Sequence, residues 1–286
     1  MPPKIVVVGS LHHDIVVEAP RQPHRGETLL GHRWFTKFGG KGGNQAVACA
    51  QLGADVEMVG AIGDDAFGHG LRTLLEAESV GHDHVVTVET GSGMSIATVD
   101  DEGDYSAVVV TGANATIMPT AIADMEIWIG CDVLILQNEV PQTVNLAAAQ
   151  SAKKSGARVV WNAAPMRPDE LGLAALIDIL VVNAVEAEQF LGQAVKSLND
   201  ANKAAQAIAA GGISAVVTAG AFGVAWADRD GASDAHPVEP VEHPQTHGAG
   251  DVFTGALSVA LGEGAALKES VIAANAAARR HVSGQA

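Results

Sequence analysis

Cysteine and positive charge are both scarce in this chain. Its 286 residues include two cysteines, Cys49 and Cys131. No Cys-x-x-Cys pair and no Cys/His cluster is present, which argues against a structural metal. Cys49 lies among alanines and Cys131 just before an apolar run, so both read as small core fillers. Lysine and arginine total 17 against 33 aspartates and glutamates, a formal net charge of −16. So acidic a surface disfavours nucleic acid or an anionic membrane as the main partner, while leaving room for a local basic pocket that takes a nucleotide. No apolar run reaches the ~20 residues that a membrane-spanning helix needs. The start, Met1-Pro2-Pro3-Lys4 and then Ile5–Val8, reads as a short strand rather than a signal peptide, and the cytoplasm is the expected location. Internal repeats, low-complexity linkers and charge blocks are missing as well.

What is present is a globular composition, 48% hydrophobic and 17% charged. The length allows one large domain, or a domain with a smaller appendage. Ile5–Val8 is all β-branched, as in a strand buried on both faces. Glu27–Phe38 is partly alternating and carries Trp34 and Phe35, which fits a strand of a separate small sheet. Gly43–Leu52 reads as a helix with Ala46, Val47, Ala50 and Cys49 facing inward. Val56–Ile62 reads as a strand, and a helix begins at Asp64-Asp65 and runs to Ser79. His84–Val88, Ser95–Asp100 and Tyr105–Val110 read as short strands, with a hairpin turn at Asp100–Asp104. From residue 119 strands and helices alternate. The strands are Val133–Leu136, Val159–Trp161, Asp178–Val182, Ala215–Thr218 and Val224–Ala227. The helices are Thr143–Ser155, Val185–Leu191, Ala201–Ala210, Val252–Leu261 and Leu267–Arg280. Such alternation calls for a parallel sheet with helices on both faces, and the early strands without helices call for a small antiparallel lid. The Pro237–Pro244 stretch reads as a surface loop. Of eleven histidines, His12-His13 and His82-x-His84 lack a carboxylate partner or a HExxH frame, so they read as solvated or loop residues rather than metal ligands.

Two glycine-rich segments carry the chemistry. Thr246-His247-Gly248-Ala249-Gly250-Asp251 precedes an apolar helical run. Small residues there let backbone N–H groups converge, the helix aims its positive end at the same point, and an acid sits at the mouth. A phosphoryl transfer onto a hydroxyl needs both an anion site and a base. The alternative is an ordinary Asp helix cap after a glycine turn. The second segment is Phe38-Gly39-Gly40-Lys41-Gly42-Gly43-Asn44-Gln45. It is not a P-loop, because no Ser or Thr follows the lysine. The first strand ends in Val8-Gly9-Ser10-Leu11-His12, without the second and third glycines of a dinucleotide fingerprint. The glycines at a junction between two sheets also make a hinge, with Lys41 and Asn44 just beyond it.

Gly39-Gly40-Lys41-Gly42-Gly43-Asn44-Gln45-Ala46 resembles the N-terminal signature of the ribokinase-like (PfkB-type) carbohydrate kinases, and Gly248-Ala249-Gly250-Asp251 their C-terminal signature. Gly9-Ser10-x-x-x-Asp14, Asn183-x-x-Glu186 and Thr218-x-Gly220-x-x-Gly223 are similar to ribokinase segments and stand in family order along nearly the whole chain. The resemblance implies an α/β three-layer sandwich with a mainly parallel central sheet, one domain over 1–286, and a discontinuous β lid from about 12–38 and 84–112. It implies ATP-dependent phosphorylation of a hydroxyl of ribose or a similar small sugar. Asp251 would orient and deprotonate the sugar hydroxyl, and the backbone N–H groups of Ala249, Gly250 and Asp251, after Gly248 of the same catalytic motif, would form the anion hole. Asp14, His12, Gly40, Lys41, Asn44 and Glu139 would bind the sugar. Asn183, Thr218, Gly220, Gly223 and Asn275 would serve the nucleotide, and Glu186 would hold Mg²⁺ through water. From the residues alone, Asn183 and Glu186 also form a capping box, and Thr218–Gly223 a simple turn. Family lids often pair, so a homodimer through the lid is expected, with Trp34, Phe35 and Val108–Val110 as apolar candidates.

Three positions depart from the pattern. His12 stands where ribokinases have a sugar-touching Asn, which admits a different ring or a base-bearing ligand. Gln245 stands where the family has Asp near a monovalent-cation site. The chain closes with Val282-Ser283-Gly284-Gln285-Ala286 about where that cation loop would continue. K⁺ activation is therefore doubtful. The expected alternatives are a nucleoside kinase of the same family, motivated by His12, and a non-catalytic sugar- or nucleotide-binding protein.

Overall fold

The computed structural model describes residues 1–123, 126–239, 241 and 246–284. Gln245, and Gln285 and Ala286 at the chain end, lie outside the described residues, as does most of Pro240–Pro244. In chain order the structure runs β1 (Lys4–Val8), β2 (His12–Glu18), β3 (Arg33–Gly39), α1 (Lys41–Gln51), β4 (Asp55–Gly63), α2 (Ala66–Ala77), β5 (Gly81–Val88), β6 (Gly93–Val99) and β7 (Tyr105–Val110). It continues with α3 (Thr120–Ala123), β8 (Val133–Gln137), α4 (Gln142–Ser155), β9 (Arg158–Asn162), β10 (Ile179–Asn183), α5 (Ala184–Leu191) and α6 (Leu198–Ala209). It ends with β11 (Ser214–Thr218), β12 (Val224–Ala227), β13 (Ser233–His236), α7 (Ala249–Gly262) and α8 (Leu267–Val282).

The large sheet has nine strands in the order β13-β12-β11-β10-β9-β8-β1-β4-β5. It is parallel from β5 to β11, and β12 and β13 join antiparallel at one edge. The β1 run is buried on both faces by period-2 alternation. Val6 and Val8 face a core with Ala148, Ala152 and Ala204 of α4 and α6. Ile5 and Val7 face a core with Ala46, Phe253, Leu257 and Val271 of α1, α7 and α8. Helices thus cover both faces of the sheet, giving the three-layer α/β sandwich.

A second sheet has four strands in the order β3-β2-β6-β7, and it is mixed rather than antiparallel as expected, because β2 and β6 pair in parallel while β3 and β7 join antiparallel at the edges. It springs from the carboxyl end of β1 through Gly9–Leu11 and returns to the main body at Gly40. Gly40 has φ 86, and a Cβ there would lie 2.8 Å from the backbone of Ser10 and His12. Only glycine fits so close a crossing. Strand β5, expected within the lid segment 84–112, instead pairs in parallel with β4 at the edge of the large sheet. Its polar residues Asp83 and Thr87 suit an edge. The other elements that the periodicity alone did not bring out are β2, β13 and the short α3. His12 and His13 lie in β2 rather than a loop. His12 is buried, and His13 stacks on Phe67 with ring centroids 4.2 Å apart. His82 and His84 lie in β5.

Candidate active site

Four central strands end in a polar residue at the carboxyl edge: Gln137, Asn162, Asn183 and Thr218 close β8, β9, β10 and β11. Ligands of open α/β sheets gather at this edge. Helix α7 starts there, with Gly248 in the left-handed region at φ 78 and no side-chain cap. A cavity of about 300 Å³ opens between them, lined by Lys41, Asn183, Glu186, Thr218, Gly248, Gly250 and Asp251 among others. The acid of the C-terminal glycine segment and the lysine of the N-terminal one therefore share one crevice.

Asp251 is buried, 8% exposed. Its Oδ1 accepts from Gln45 Nε2 at 2.9 Å and its Oδ2 from Asn44 Nδ2 at 3.2 Å. Burial pushes this carboxyl above the ordinary aspartate range, while the Lys41 charge and the Gln45 and Asn44 donors pull the other way. A carboxylate so placed is a better proton acceptor than a solvated one. Of the amides expected in the anion hole, Asp251 N–H donates to Gly248 O at 3.0 Å and Ala249 N–H to Thr246 O at 3.3 Å. The Gly250 N–H has no backbone acceptor among the described residues, so it is the open donor at the mouth of the helix.

On the lid side, Glu139 Oε2 accepts from Ser10 Oγ at 2.5 Å and from the Lys41 backbone N–H at 2.8 Å. This carboxylate caps α1, whose own N-cap, Gly40, offers no side chain. One Glu139 oxygen remains for a ligand. Asp14 Oδ1 accepts from Ser95 Oγ at 2.6 Å, across β2 and β6. His12 is 4% exposed, and its Nε2 has no hydrogen-bond partner among the described residues. His12, Asp14 and Glu139 are not among the residues that line the cavity.

On the other side, Asn183 and Glu186 form a reciprocal capping box at the start of α5. Asn183 Oδ1 accepts from Glu186 N–H at 2.9 Å, and Glu186 Oε2 from Asn183 N–H at 2.8 Å. Glu186 is buried, and burial raises its pKa against the opposing effects of the Asn183 N–H and Lys41. Both residues also line the cavity, so capping and ligand binding coexist. Thr218 reaches the cavity, while Gly220 and Gly223 shape the turn behind it and Asn275 lies half-buried on α8, outside the lining. The described residues hold no group of three or more His, Cys, Asp or Glu suited to a metal. Glu186, with one free hard oxygen, suits Mg²⁺ held mainly by phosphates and water.

Sequence reasoning gave no role to Gln45, Gln137, Asn162 or Ser95, and none to Ser10 beyond its motif. The signal for Gln45 was a long polar residue on the apolar stripe of α1, among Gly42, Ala46 and Cys49, all buried. Val47 and Ala50, expected inside, are only partly buried against that core.

The chain matches the pfkB family of carbohydrate kinases over residues 2–284 and belongs to that family. The ribokinase of Haemophilus influenzae is 36% identical over 277 residues, covering 96% of this chain and 90% of the relative. The Bacillus subtilis ribokinase is 35% identical, covering 96% and 91%. Among solved structures, Arabidopsis thaliana ribokinase complexed with ribose and ATP superposes with a TM-score of 0.89 at 31% identity, covering 99% of this chain and 93% of that one. A Methanocaldococcus jannaschii nucleoside kinase shares the fold, with a TM-score of 0.81 at 18% identity. The fold is therefore the ribokinase fold, and the protein is a kinase acting on a sugar hydroxyl. Neither the nucleoside kinase nor the non-catalytic alternative is favoured.

Proposed function

We propose that this chain transfers the γ-phosphoryl group of ATP to a hydroxyl of ribose, most simply its primary alcohol. The observation that carries the reading is the buried Asp251 at the start of α7, in one cavity with Lys41 and the open Gly250 N–H. The sugar oxygen bonds to the γ-phosphorus as the bond from that phosphorus to the bridging oxygen of ADP breaks. The hydroxyl proton passes to Asp251. Lys41 and the Gly250 N–H offset the charge on the transferring group. Asp251 need not be a strong base, because positioning supplies much of the acceleration. Mg²⁺, when bound, neutralises phosphate charge, and Glu186 with Asn183 would hold its water shell.

Asp14, Asn44, Gly40 and the free oxygen of Glu139 would receive the sugar hydroxyls, since short polar side chains suit vicinal diols. His12 adds an unpartnered ring nitrogen to that side. Thr218, Gly220, Gly223 and Asn275 would border the nucleotide. Residues 1–286 act as one unit with the four-stranded sheet as lid, whose closure keeps water from competing as acceptor. The lid's outer face, with Trp34 and Val108, would pair two copies into a homodimer. Among the described residues no helix is long and apolar enough to cross a membrane, and the cytoplasm is the location this reading assigns.

A coupled ADP-release assay across pentoses, hexoses, keto-deoxy acids and nucleosides, with and without K⁺, tests the reading. Ribose is expected to give the highest kcat/KM, with little dependence on K⁺. Turnover of inosine or adenosine without turnover of ribose reverses the assignment.

A further inference from the structure

Gln45 is fully buried in α1, and every hydrogen-bonding atom of its side-chain amide is used. Nε2 donates to Asn162 Oδ1 at 3.1 Å and to Asp251 Oδ1 at 2.9 Å. Oε1 accepts from Gln137 Nε2 at 2.7 Å. The orientation of the amide is set from outside. Asn162 Nδ2 donates to the backbone carbonyl of Val181 at 3.2 Å, which turns Asn162 Oδ1 toward Gln45. Gln45 must then present its NH₂ to that oxygen, and the second proton of the same NH₂ points at Asp251. The end of β9 and the body of α1, far apart in sequence, thus fix one proton on one oxygen of the carboxylate. Asp251 Oδ2 has Asn44 as its one partner among the described residues, and Asn44 is only partly buried.

We propose that Gln45 is a positioning residue for the phosphoryl transfer: it locks Asp251 Oδ1 through an amide whose direction Asn162 dictates, leaving Oδ2 as the oxygen that takes the hydroxyl proton. The inference rests on the kinase reading above. A glutamine placed for packing alone would leave polar atoms to be matched at a cost. Here the matching ends on the reacting carboxylate. A hydrogen bond to a charged carboxylate favours its ionised form, so the same contact opposes the rise that burial causes. The other charged or titratable groups facing Asp251 are Lys41 from α1, Glu139 from the loop after β8, Glu186 from α5 and His247 from the loop before α7. All remain in the variants below, so their contribution is common to every profile.

The experiment is the pH dependence of kcat for the full-length wild type, Gln45→Met and Gln137→Met, with Tm measured alongside. Methionine keeps the length and volume of glutamine and removes its polar atoms. For Gln45→Met, kcat is expected to fall about 10- to 100-fold while the KM values for ATP and sugar stay within about threefold. Its acid limb is expected to move up by about one pH unit. Gln137→Met removes a buried hydrogen bond of the same kind without touching Asp251, so it should lower Tm but leave the acid limb in place. If Gln45→Met does not fold, Gln45→Glu serves, because a second carboxyl against Asp251 raises the acid limb further. An acid limb unchanged in the Gln45 variant, or one that moves equally in Gln137→Met, overturns the proposal. Absence of ADP release by wild type with every sugar would instead overturn the kinase reading, so the two failures are distinguishable.

Discussion

At the scale of single residues, the site holds two buried carboxyls, Asp251 and Glu186, both raised by burial. A raised carboxyl stabilises the fold fully only below its unfolded pKa, near 4, and that contribution is lost as pH rises through the folded value. The ionised Asp251 therefore costs stability at neutral pH. Asp251→Asn removes the charge, and Asn44 can turn its amide end for end to match it. The variant is expected to melt at or above wild type at pH 8, with the gain closing below about pH 4. Its kcat/KM should fall by about 10³-fold, with the ATP affinity little changed. A calorimetric pH series and the ADP assay read the two effects, and a lower Tm at pH 8 contradicts the sign. Asp251, Lys41 and Asn44 could be singled out from the sequence because each sits inside a glycine segment with a recognisable local shape. Ser10, Gln137 and Asn162 could not, because their partners lie up to 129 residues away and no local period encodes such a pairing.

At the scale of elements, the site is built where helices begin. Helix α1 has no capping side chain of its own, and the carboxylate of Glu139 supplies the missing acceptor from 98 residues along the chain. The crossing at Gly40 brings that helix start against Ser10 and His12. Gly40→Ala is expected to destabilise the protein by more than about 1 kcal/mol, from the left-handed φ and the backbone contact together. It should also lower kcat, since Lys41 and Asn44 follow directly. Urea denaturation checks the first and the ADP assay the second, and a variant with an unchanged midpoint would show that the crossing relaxes freely. Most helices and central strands were legible because their apolar periods are long and unbroken. Strand β2 was not, since His12, His13 and Asp14 break its pattern for the sake of the lid junction. The assignment of β5 to the lid failed for a different reason. A strand's residues reveal which faces are buried, while its sheet is decided by the neighbour it meets, here β4.

At the scale of the whole molecule, the lid leaves large side chains in water. Trp34 and Val108 are each 69% exposed, and Ile96 and Val110 about half. An apolar face of this kind fits the pairing of two copies proposed above. Trp34→Asp with Val108→Asp is expected to convert a dimer to a monomer in sedimentation equilibrium without changing the Tm of the isolated chain by more than a few degrees. A wild type that sediments as a monomer at micromolar concentration sinks the dimer. The central strand sets a different constraint on the molecule's life. Strand β1 is made before both of its hydrogen-bonding neighbours, Val56–Val59 on one side and Val133–Leu136 on the other. Until Leu136 has been made, Ile5–Val8 offers an open, wholly apolar ladder edge. Such an edge pairs with whatever strand arrives, so translation rate and chaperone supply should govern the yield of active protein more than its final stability does.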